Sequence, residues 1–251
     1  MDIQEVDLGN TIVRACLQGS KRLVVGFETG GNSRALARPE RPAWAQKLVA
    51  DAGWDGLHIM PKVLDWYQAP ELWRFFKTKQ SEGSFEAYKS VVTYGCSMGG
   101  FAALAFAKLA GAKRVVALQP RTSLQETPPW HSYHSARMSY NRVGLRSDAL
   151  NGLAAGVEVQ IFADPFHARD WAHATRVTEV EIYRVPFAGH NIPLLFKEIG
   201  IMGEVSRHAI TGALTRACFF EALRGRRESP IYEKNMQAAL LRRGQPEGAV
   251  V

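Results

Sequence analysis

The sequence predicts an α/β fold: a doubly wound, mostly parallel sheet with an antiparallel N-terminal strand pair, a small lid-like insertion and a helical C-terminus. Three observations lead to it. Apolar strand-like runs alternate with helix-like segments from residue 22 onward, as in parallel sheets covered by helices. A strand, a glycine-rich turn and an apolar helix follow one another directly over 91–109. The length of 251 residues suits one large α/β domain, so we expect a single domain over 1–251.

Composition narrows the class of protein further. Hydrophobic residues make up 46% of the chain and charged residues 22%, as in ordinary globular domains. No apolar run approaches the roughly 18 residues of a membrane span, and the N-terminus lacks a basic segment followed by an apolar one. We therefore expect no membrane span and a cytoplasmic location. The three cysteines are widely spaced without a C-x-x-C pair, so we expect reduced thiols, no metal site and no cofactor.

A net charge of +7 would suit an anionic partner such as nucleic acid. The basic residues are spread along the chain, however, and the densest clusters, at 224–227 and 242–243, lie beyond the predicted sheet. No nucleic-acid-binding motif accompanies them. We favour a solvated basic surface over a nucleic-acid site and expect a small-molecule partner, with the oligomeric state left open.

The first two predicted strands are Thr11–Leu17 and 22–28, which a turn-like segment at 18–21 separates. This spacing is typical of a hairpin, so we expect the two strands to pair with each other. The loop that follows, 29–33, contains two glycines that let backbone N–H groups turn toward a ligand. A plain glycine turn is an equal alternative for this loop.

A helix over 42–52 and a strand over 56–60 come next, because helix start and stop signals flank the first and a proline ends the second. The segment 65–76 is rich in aromatic residues, which line either a cleft or, as we favour, the core. Past the glycine-rich turn, an apolar helix over 99–110 and a strand over 113–119 suit buried layers.

The alternation breaks over 121–153, where several prolines, histidines and aromatic residues suit a lid over a functional site or an anchored surface excursion. Strands are predicted again at 157–163 and 179–186. The stretch 203–243 reads as helical throughout, which predicts a C-terminal helical extension.

Residues 95–99 read G-C-S-M-G, a match to G-x-S-x-G between a strand and a helix. In that setting the serine lies on a strained turn with its hydroxyl clear of the sheet, and the glycines avoid collisions of a Cβ with neighbouring elements. Ser97 is therefore a candidate nucleophile. An ordinary turn of small residues is the alternative interpretation.

Asp164 and His190 each follow a predicted strand, as Ser97 does. Parallel strands end at the same edge of a sheet, so the three side chains can meet there. Serine needs a base within hydrogen-bond reach and a third group that orients the base. We take His190 as the candidate base and Asp164 as the candidate acid; Asp170, near a helix start, is the alternative acid.

The segments Y-G-C-S-M-G-G, I-F-A-D-P and V-P-F-A-G-H-N, in this order, resemble the alpha/beta-hydrolase superfamily over roughly residues 11–200. The resemblance implies a serine hydrolase that cleaves an ester through an acyl-enzyme intermediate, with Ser97 as nucleophile, His190 as base and Asp164 as acid. Acyl transfer to a carbohydrate or another alcohol is an alternative. So is a non-catalytic binding module with the same fold.

The resemblance also implies an oxyanion hole formed by the backbone N–H groups of Met98 and Thr29. The loop after the second predicted strand reads Glu28-Thr29-Gly30-Gly31 instead of the common His-Gly form. This departure leaves the second donor open.

Overall fold

The computed structural model describes residues 1–30, 41–124 and 145–243. Its strands are β1 Asp2–Asp7, β2 Thr11–Leu17, β3 Arg22–Phe27, β4 Asp55–Pro61, β5 Ser90–Cys96, β6 Arg114–Leu118, β7 Glu158–Ala163 and β8 Val180–Arg184. They form one sheet in the order β1-β2-β4-β3-β5-β6-β7-β8. β2 runs antiparallel to both of its neighbours, and every other pair is parallel. The predicted mixed sheet with antiparallel strands at its N-terminal edge is confirmed.

Helices cover both faces of this sheet and continue beyond its last strand. They are α1 Gln46–Asp51, α2 Pro70–Ser81, α3 Met98–Ala105, α4 Ala168–Ala174, α5 Ile192–Glu198, α6 Met202–Thr211, α7 Arg216–Ala222 and α8 Pro230–Arg243. The last three, with a 3-10 turn over Leu223–Glu228, form the helical C-terminus that the sequence predicts. None of the described helices combines the length and the apolarity needed to cross a bilayer.

Two apolar layers lie on opposite faces of the sheet. Alternate residues of β3 point to different layers: Val25 and Phe27 pack with α2 and α3, whereas Val24 packs with the layer that holds α5 to α7. Phe27 stacks on Phe76 of α2, and Phe162 packs edge-on against Phe196 of α5. Burial of each such ring stabilises the fold by roughly 2 kcal/mol, so helices packed on both faces stabilise the sheet.

The predicted hairpin between β2 and β3 is wrong, because β4 lies between these two strands. The connecting segment is bound to the start of β4, where the carboxylate of Asp55 accepts hydrogen bonds from the amides of Gln18 (2.7 Å) and Ser20 (3.1 Å). β3 is apolar on both faces and pairs in parallel with β4 and β5, as a central strand does. β2 pairs instead with β1, an exposed polar edge strand that the sequence did not mark.

The predicted lid-like insertion over 121–153 lies mostly outside the described residues, which omit 125–144. Its two described ends are packed against the body. Thr122 and Leu124 are fully buried, and a Cβ on Gly152 would collide with the Ala105 carbonyl of α3. The Gly152 end is therefore packed on the helix that follows Ser97, and the Thr122 end is hydrogen-bonded to His173 at the end of α4. The assignment of all 251 residues to a single domain remains a prediction.

Candidate active site

Ser97 lies in the turn between β5 and α3 with φ 55° and ψ −111°, a strained backbone conformation for a residue with a side chain. Such a conformation costs on the order of 1–3 kcal/mol and persists only where neighbouring structure enforces it. Here the Ser97 amide donates to the Leu118 carbonyl (2.9 Å), and the Ser97 carbonyl accepts from the Phe101 amide (3.0 Å). The turn is held on both sides.

The two glycines of the motif are required by close backbone approaches. A Cβ on Gly95 would collide with the Gly99 carbonyl, and a Cβ on Gly99 would collide with the Phe27 carbonyl of β3. The strand, the turn and the helix thus meet at van der Waals distance. The sequence pattern predicts that both positions are glycine because a Cβ would collide there, and these two backbone contacts are the collisions.

A chain of hydrogen bonds connects Ser97 to a buried carboxylate. Ser97 Oγ lies 2.8 Å from His190 Nε2, and His190 Nδ1 lies 2.7 Å from Asp170 Oδ2. The His190 side chain is 32% exposed, whereas the Asp170 side chain is 0% exposed. An ionised carboxylate only accepts hydrogen bonds, so Nδ1 carries the proton and Nε2 is left to accept from the serine hydroxyl.

The carboxylate beside His190 in this geometry is not that of Asp164, the predicted acid. Asp170, the alternative acid, lies in the first turn of α4, and that turn brings its carboxylate back to the sheet edge beside His190. Asp164 also lies at this edge, directly after β7, but its oxygens face the backbone of the His190 loop. Position after a strand therefore places Asp164 at the sheet edge that carries His190, but the carboxylate that His190 contacts is that of Asp170.

The carboxylate of Asp164 holds backbone amides. Its Oδ1 accepts from Phe166 (2.8 Å) and Phe187 (3.0 Å), and its Oδ2 accepts from Gly189 (2.7 Å). Burial raises the pKa of this carboxyl, and the three amides oppose that effect. Asp164 thus ties the end of β7 to the loop that carries His190.

The surroundings of Asp170 keep it ionised. Burial by itself would raise its pKa, but hydrogen bonds from His167 and His190, together with the charge of Arg121, hold the pKa well below its usual range. Arg121 is buried, and its Nη2 lies 3.7 Å from Asp170 Oδ1. The carboxylate therefore stays charged at neutral pH and favours the orientation of His190 seen here.

Met98 and Thr29, the predicted oxyanion donors, lie on neighbouring elements. Met98 is the first residue of α3, so its N–H has no acceptor within the helix and lies at the positive end of the helix dipole. Next to Thr29, a Cβ placed on Gly30 would lie 3.8 Å from the Met98 Cβ. The loop after β3 therefore adjoins the start of α3. The roles of both amides stay predictions.

The sequence pattern did not mark the residues that hold this loop. Buried Glu28 binds Arg41 through two hydrogen bonds (2.7 and 2.6 Å) and accepts from the Trp44 amide (3.0 Å). The hydroxyl of Tyr67 donates to the Glu28 carbonyl (2.7 Å). The C=O and N–H of a trans peptide point in opposite directions, so Tyr67 also fixes the direction of the Thr29 N–H. An acidic residue directly after an apolar strand was the available signal.

Two further residues that the sequence pattern did not mark contact the His190 loop, Gln119 and Asn235. Gln119 directly follows β6, and this is the same positional signal that identified Ser97. Among the residues that the structure describes, no three His, Cys, Asp or Glu side chains are grouped to hold a metal ion. The three cysteines are free thiols.

No protein-family model matches the sequence, and no curated protein matches it significantly. Solved structures do match. The capsule O-acetyltransferase of Neisseria meningitidis serogroup A aligns with a TM-score of 0.56 at 11% identity, over 83% of this chain and 94% of that one. The esterase of the archaeon Pyrobaculum calidifontis gives 0.55 at 11% identity over 85% and 87%. The propionate-bound esterase of Thermogutta terrifontis gives 0.53 at 13% identity over 85% and 95%. With its sheet order and these structural matches, the chain has the alpha/beta-hydrolase fold.

Proposed function

We propose that this protein is a serine hydrolase of the esterase type, with Ser97 as nucleophile, His190 as general base and Asp170 as the acid that orients it. The observation that carries the proposal is the unbroken hydrogen-bonded chain of 2.8 and 2.7 Å from Ser97 through His190 to Asp170. The fold shared with two esterases supports it. The substrate is a small ester whose acyl group is transferred to Ser97.

In the first half of the reaction, His190 Nε2 takes the Ser97 hydroxyl proton while Oγ attacks the ester carbonyl carbon. The carbonyl oxygen becomes an oxyanion that the N–H groups of Met98 and Thr29 stabilise; removing one such donor typically costs about 10²–10³ in rate. His190 then gives its proton to the departing alkoxide oxygen as the C–O bond breaks, leaving acyl-Ser97 and an alcohol. Ionised Asp170 stabilises the imidazolium in between.

In the second half, a water molecule attacks the acyl carbon while His190 takes its proton. The tetrahedral intermediate collapses, Ser97 Oγ recovers the proton from His190, and the carboxylic acid leaves. General acid–base catalysis of this kind contributes typically about 10²–10⁴ in rate. The same residues therefore serve both halves, with Asp170 charged throughout.

A fluorophosphonate probe tests the proposal, because it phosphonylates only an activated serine. We expect stoichiometric labelling at Ser97 in the wild type and in a Ser90→Ala variant, a matched serine at the other end of β5. The Ser97→Ala variant should take up no label. Labelling of folded Ser97→Ala to the wild-type extent would overturn the assignment. Activated esters of increasing acyl length, run on wild type and Ser97→Ala, then define the acyl group.

O-acyl transfer to an alcohol is the second candidate, and the structural similarity to a capsule O-acetyltransferase favours it. The acyl-enzyme would then be resolved by an acceptor hydroxyl instead of water. Adding sugar acceptors at fixed donor ester should yield acylated sugar at the expense of free acid if transfer is the reaction. Unchanged acid release with no acylated sugar would leave hydrolysis as the function.

A non-catalytic binding module with this fold would be favoured by a serine and a histidine too far apart to hydrogen-bond. The 2.8 Å separation of Ser97 Oγ and His190 Nε2 supports the catalytic proposal instead. If folded wild-type protein takes up no fluorophosphonate label, the interpretation as a non-catalytic binding module would be favoured.

A further inference from the structure

The loop between β8 and α5 carries His190, and side chains from several elements bind its backbone. Asp164 accepts from the amides of Phe187 and Gly189, as described above. Asn235 of α8 donates to the Phe187 carbonyl (3.0 Å). These contacts fix the part of the loop that precedes His190.

Gln119 binds the part of the loop that contains and follows His190. Its Nε2 donates to the His190 carbonyl (2.6 Å), and its Oε1 accepts from the Ile192 amide (2.8 Å). Ile192 is the first residue of α5, where an N–H has no acceptor within the helix. A side-chain amide donates and accepts at the same time, and here both functions are used on backbone groups two residues apart.

The end of β6 binds both partners of the reacting pair through consecutive residues. The carbonyl of Leu118 accepts from the Ser97 amide (2.9 Å), and the side chain of the next residue, Gln119, holds His190. Gln119 is itself held in place. It is 2% exposed, and its backbone N–H donates to the Phe162 carbonyl of β7 (2.7 Å). The nucleophile turn and the base loop thus share one rigid support.

We infer that Gln119 is a positioning residue for His190, which sets the separation of His190 Nε2 from Ser97 Oγ by fixing the backbone on both sides of the His190 to Ile192 segment. The inference rests on the proposed function and deepens it. The His190 side chain is one-third exposed, so beyond its hydrogen bonds to Ser97 and Asp170 its place is set by the backbone that carries it. A displacement of the order of 1 Å in such a pair can cost about 10² in rate.

The test compares Gln119→Met, which keeps the length but removes both hydrogen bonds, with Gln160→Met. Gln160 is a matched control, a buried glutamine inside β7 three residues before the strand ends. With an activated ester, Gln119→Met should lower kcat by about ten- to a hundredfold with KM changed less than about twofold. The fluorophosphonate labelling rate should fall with kcat, and Gln160→Met should leave both near wild type.

A second variant separates positioning from simple loss of stability. In Gln119→Glu the ionised carboxylate cannot donate to the His190 carbonyl, but the protonated acid can both donate and accept, as the amide does. Burial raises the pKa of such a carboxyl. The ratio of Gln119→Glu to wild-type kcat, each expressed per folded molecule as measured by circular dichroism, should therefore rise as the pH is lowered from 8 to 6. Protonation also relieves any loss of stability that the buried charge causes, so a defect of stability alone would change the folded fraction and leave this normalised ratio level.

Proton NMR gives a readout that is independent of turnover. The His190 Nδ1 proton shared with Asp170 should give a low-field resonance in wild type and Gln160→Met that is shifted or broadened in Gln119→Met. Wild-type kcat in both Gln119 variants, or a loss matching only the unfolded fraction by circular dichroism, would overturn the inference. If instead Ser97→Ala keeps wild-type activity, the proposed function fails and not the role of Gln119 alone.

Discussion

Asp164 and Asp170 lie six residues apart at the same sheet edge and serve different partners. Asp170→Asn removes the charge that orients His190, so we expect kcat/KM for an activated ester to fall by about 10³–10⁴ in folded protein. Asp164→Asn disturbs amides of the His190 loop, so its main effect should be a loss of about 1–3 kcal/mol in the free energy of unfolding. Initial rates and urea denaturation of the two variants measure these effects.

The opposite pattern would return the acid role to Asp164: a folded Asp170→Asn variant with wild-type kcat/KM, beside an Asp164→Asn variant that is stable but inactive. Asparagine is suited to both positions because it matches aspartate in size. Both substitutions therefore remove the charge and turn one accepting oxygen into a donating NH₂ without a change in volume.

Sequence position singles out Ser97 and His190 because Ser97 directly follows β5 and His190 lies in the loop after β8, and parallel strands deliver such residues to one edge. The same rule cannot choose between Asp164 and Asp170. Asp170 reaches His190 only because α4 begins within a few residues of β7 and turns its first carboxylate back toward the edge. The contacts of Gln119 and Tyr67 could not be predicted from the sequence for a related reason. They depend on which backbone groups the fold brings beside these two side chains.

Among the elements, the loop after β4 supports the loop after β3 through the hydroxyl of Tyr67. In Tyr67→Phe, the Glu28 carbonyl loses its hydrogen bond and the Thr29 N–H loses its fixed direction. We expect kcat to fall by about tenfold or more with KM little changed, because the oxyanion forms only after substrate is bound. Steady-state kinetics with an activated ester measures the change.

Tyr88→Phe is the matched control for this substitution. The Tyr88 hydroxyl donates to Asp55 (3.1 Å) at the opposite end of the sheet, so its loss should affect stability without a specific effect on kcat. Equal kcat values for the two variants would show that Tyr67 has no part in the reaction.

Most elements follow from local patterns, since apolar or alternating runs marked the position of every parallel strand of the sheet. Strand pairing does not follow from local patterns. The length of the turn between β2 and β3 predicts a hairpin, but it contains no information about β4, which comes later in the chain. β4 takes the place beside β2 that β3 would have in a hairpin, and Asp55 of β4 accepts hydrogen bonds from the turn. β1 was missed because its polar, exposed residues resemble a loop.

At the scale of the whole molecule, His58 links stability to pH. It lies in β4 with 0% exposure, and burial, aided by the charge of Arg14, lowers its pKa to about 4. Between pH 6.5 and 4 the unfolded chain binds a proton that the folded chain does not, so the free energy of unfolding should fall as the pH falls. The shift corresponds to about 3 kcal/mol over this window.

Urea denaturation from pH 7.5 to 4 of wild type and His58→Leu measures this contribution. The difference between the two unfolding free energies should change by about that amount across the window, because the variant lacks the titrating group while all carboxylates remain. Parallel curves would show that His58 does not titrate differently on folding. Asp170, whose pKa is lowered in the folded protein, contributes stability that is present throughout this window and is lost only in more acid solution, as the pH falls from the usual range of a carboxyl toward the folded pKa.

The contact between α8 and the His190 loop determines when the candidate site can be completed during synthesis. Ser97, Asp170 and His190 have all been added to the chain before Asn235, which binds the Phe187 carbonyl, and before Tyr232, whose ring packs edge-on against Phe187. A nascent chain that already contains the whole sheet therefore still lacks the last restraint on its histidine. We therefore expect the candidate site to reach its final geometry only after α8 has left the ribosome and docked on the His190 loop.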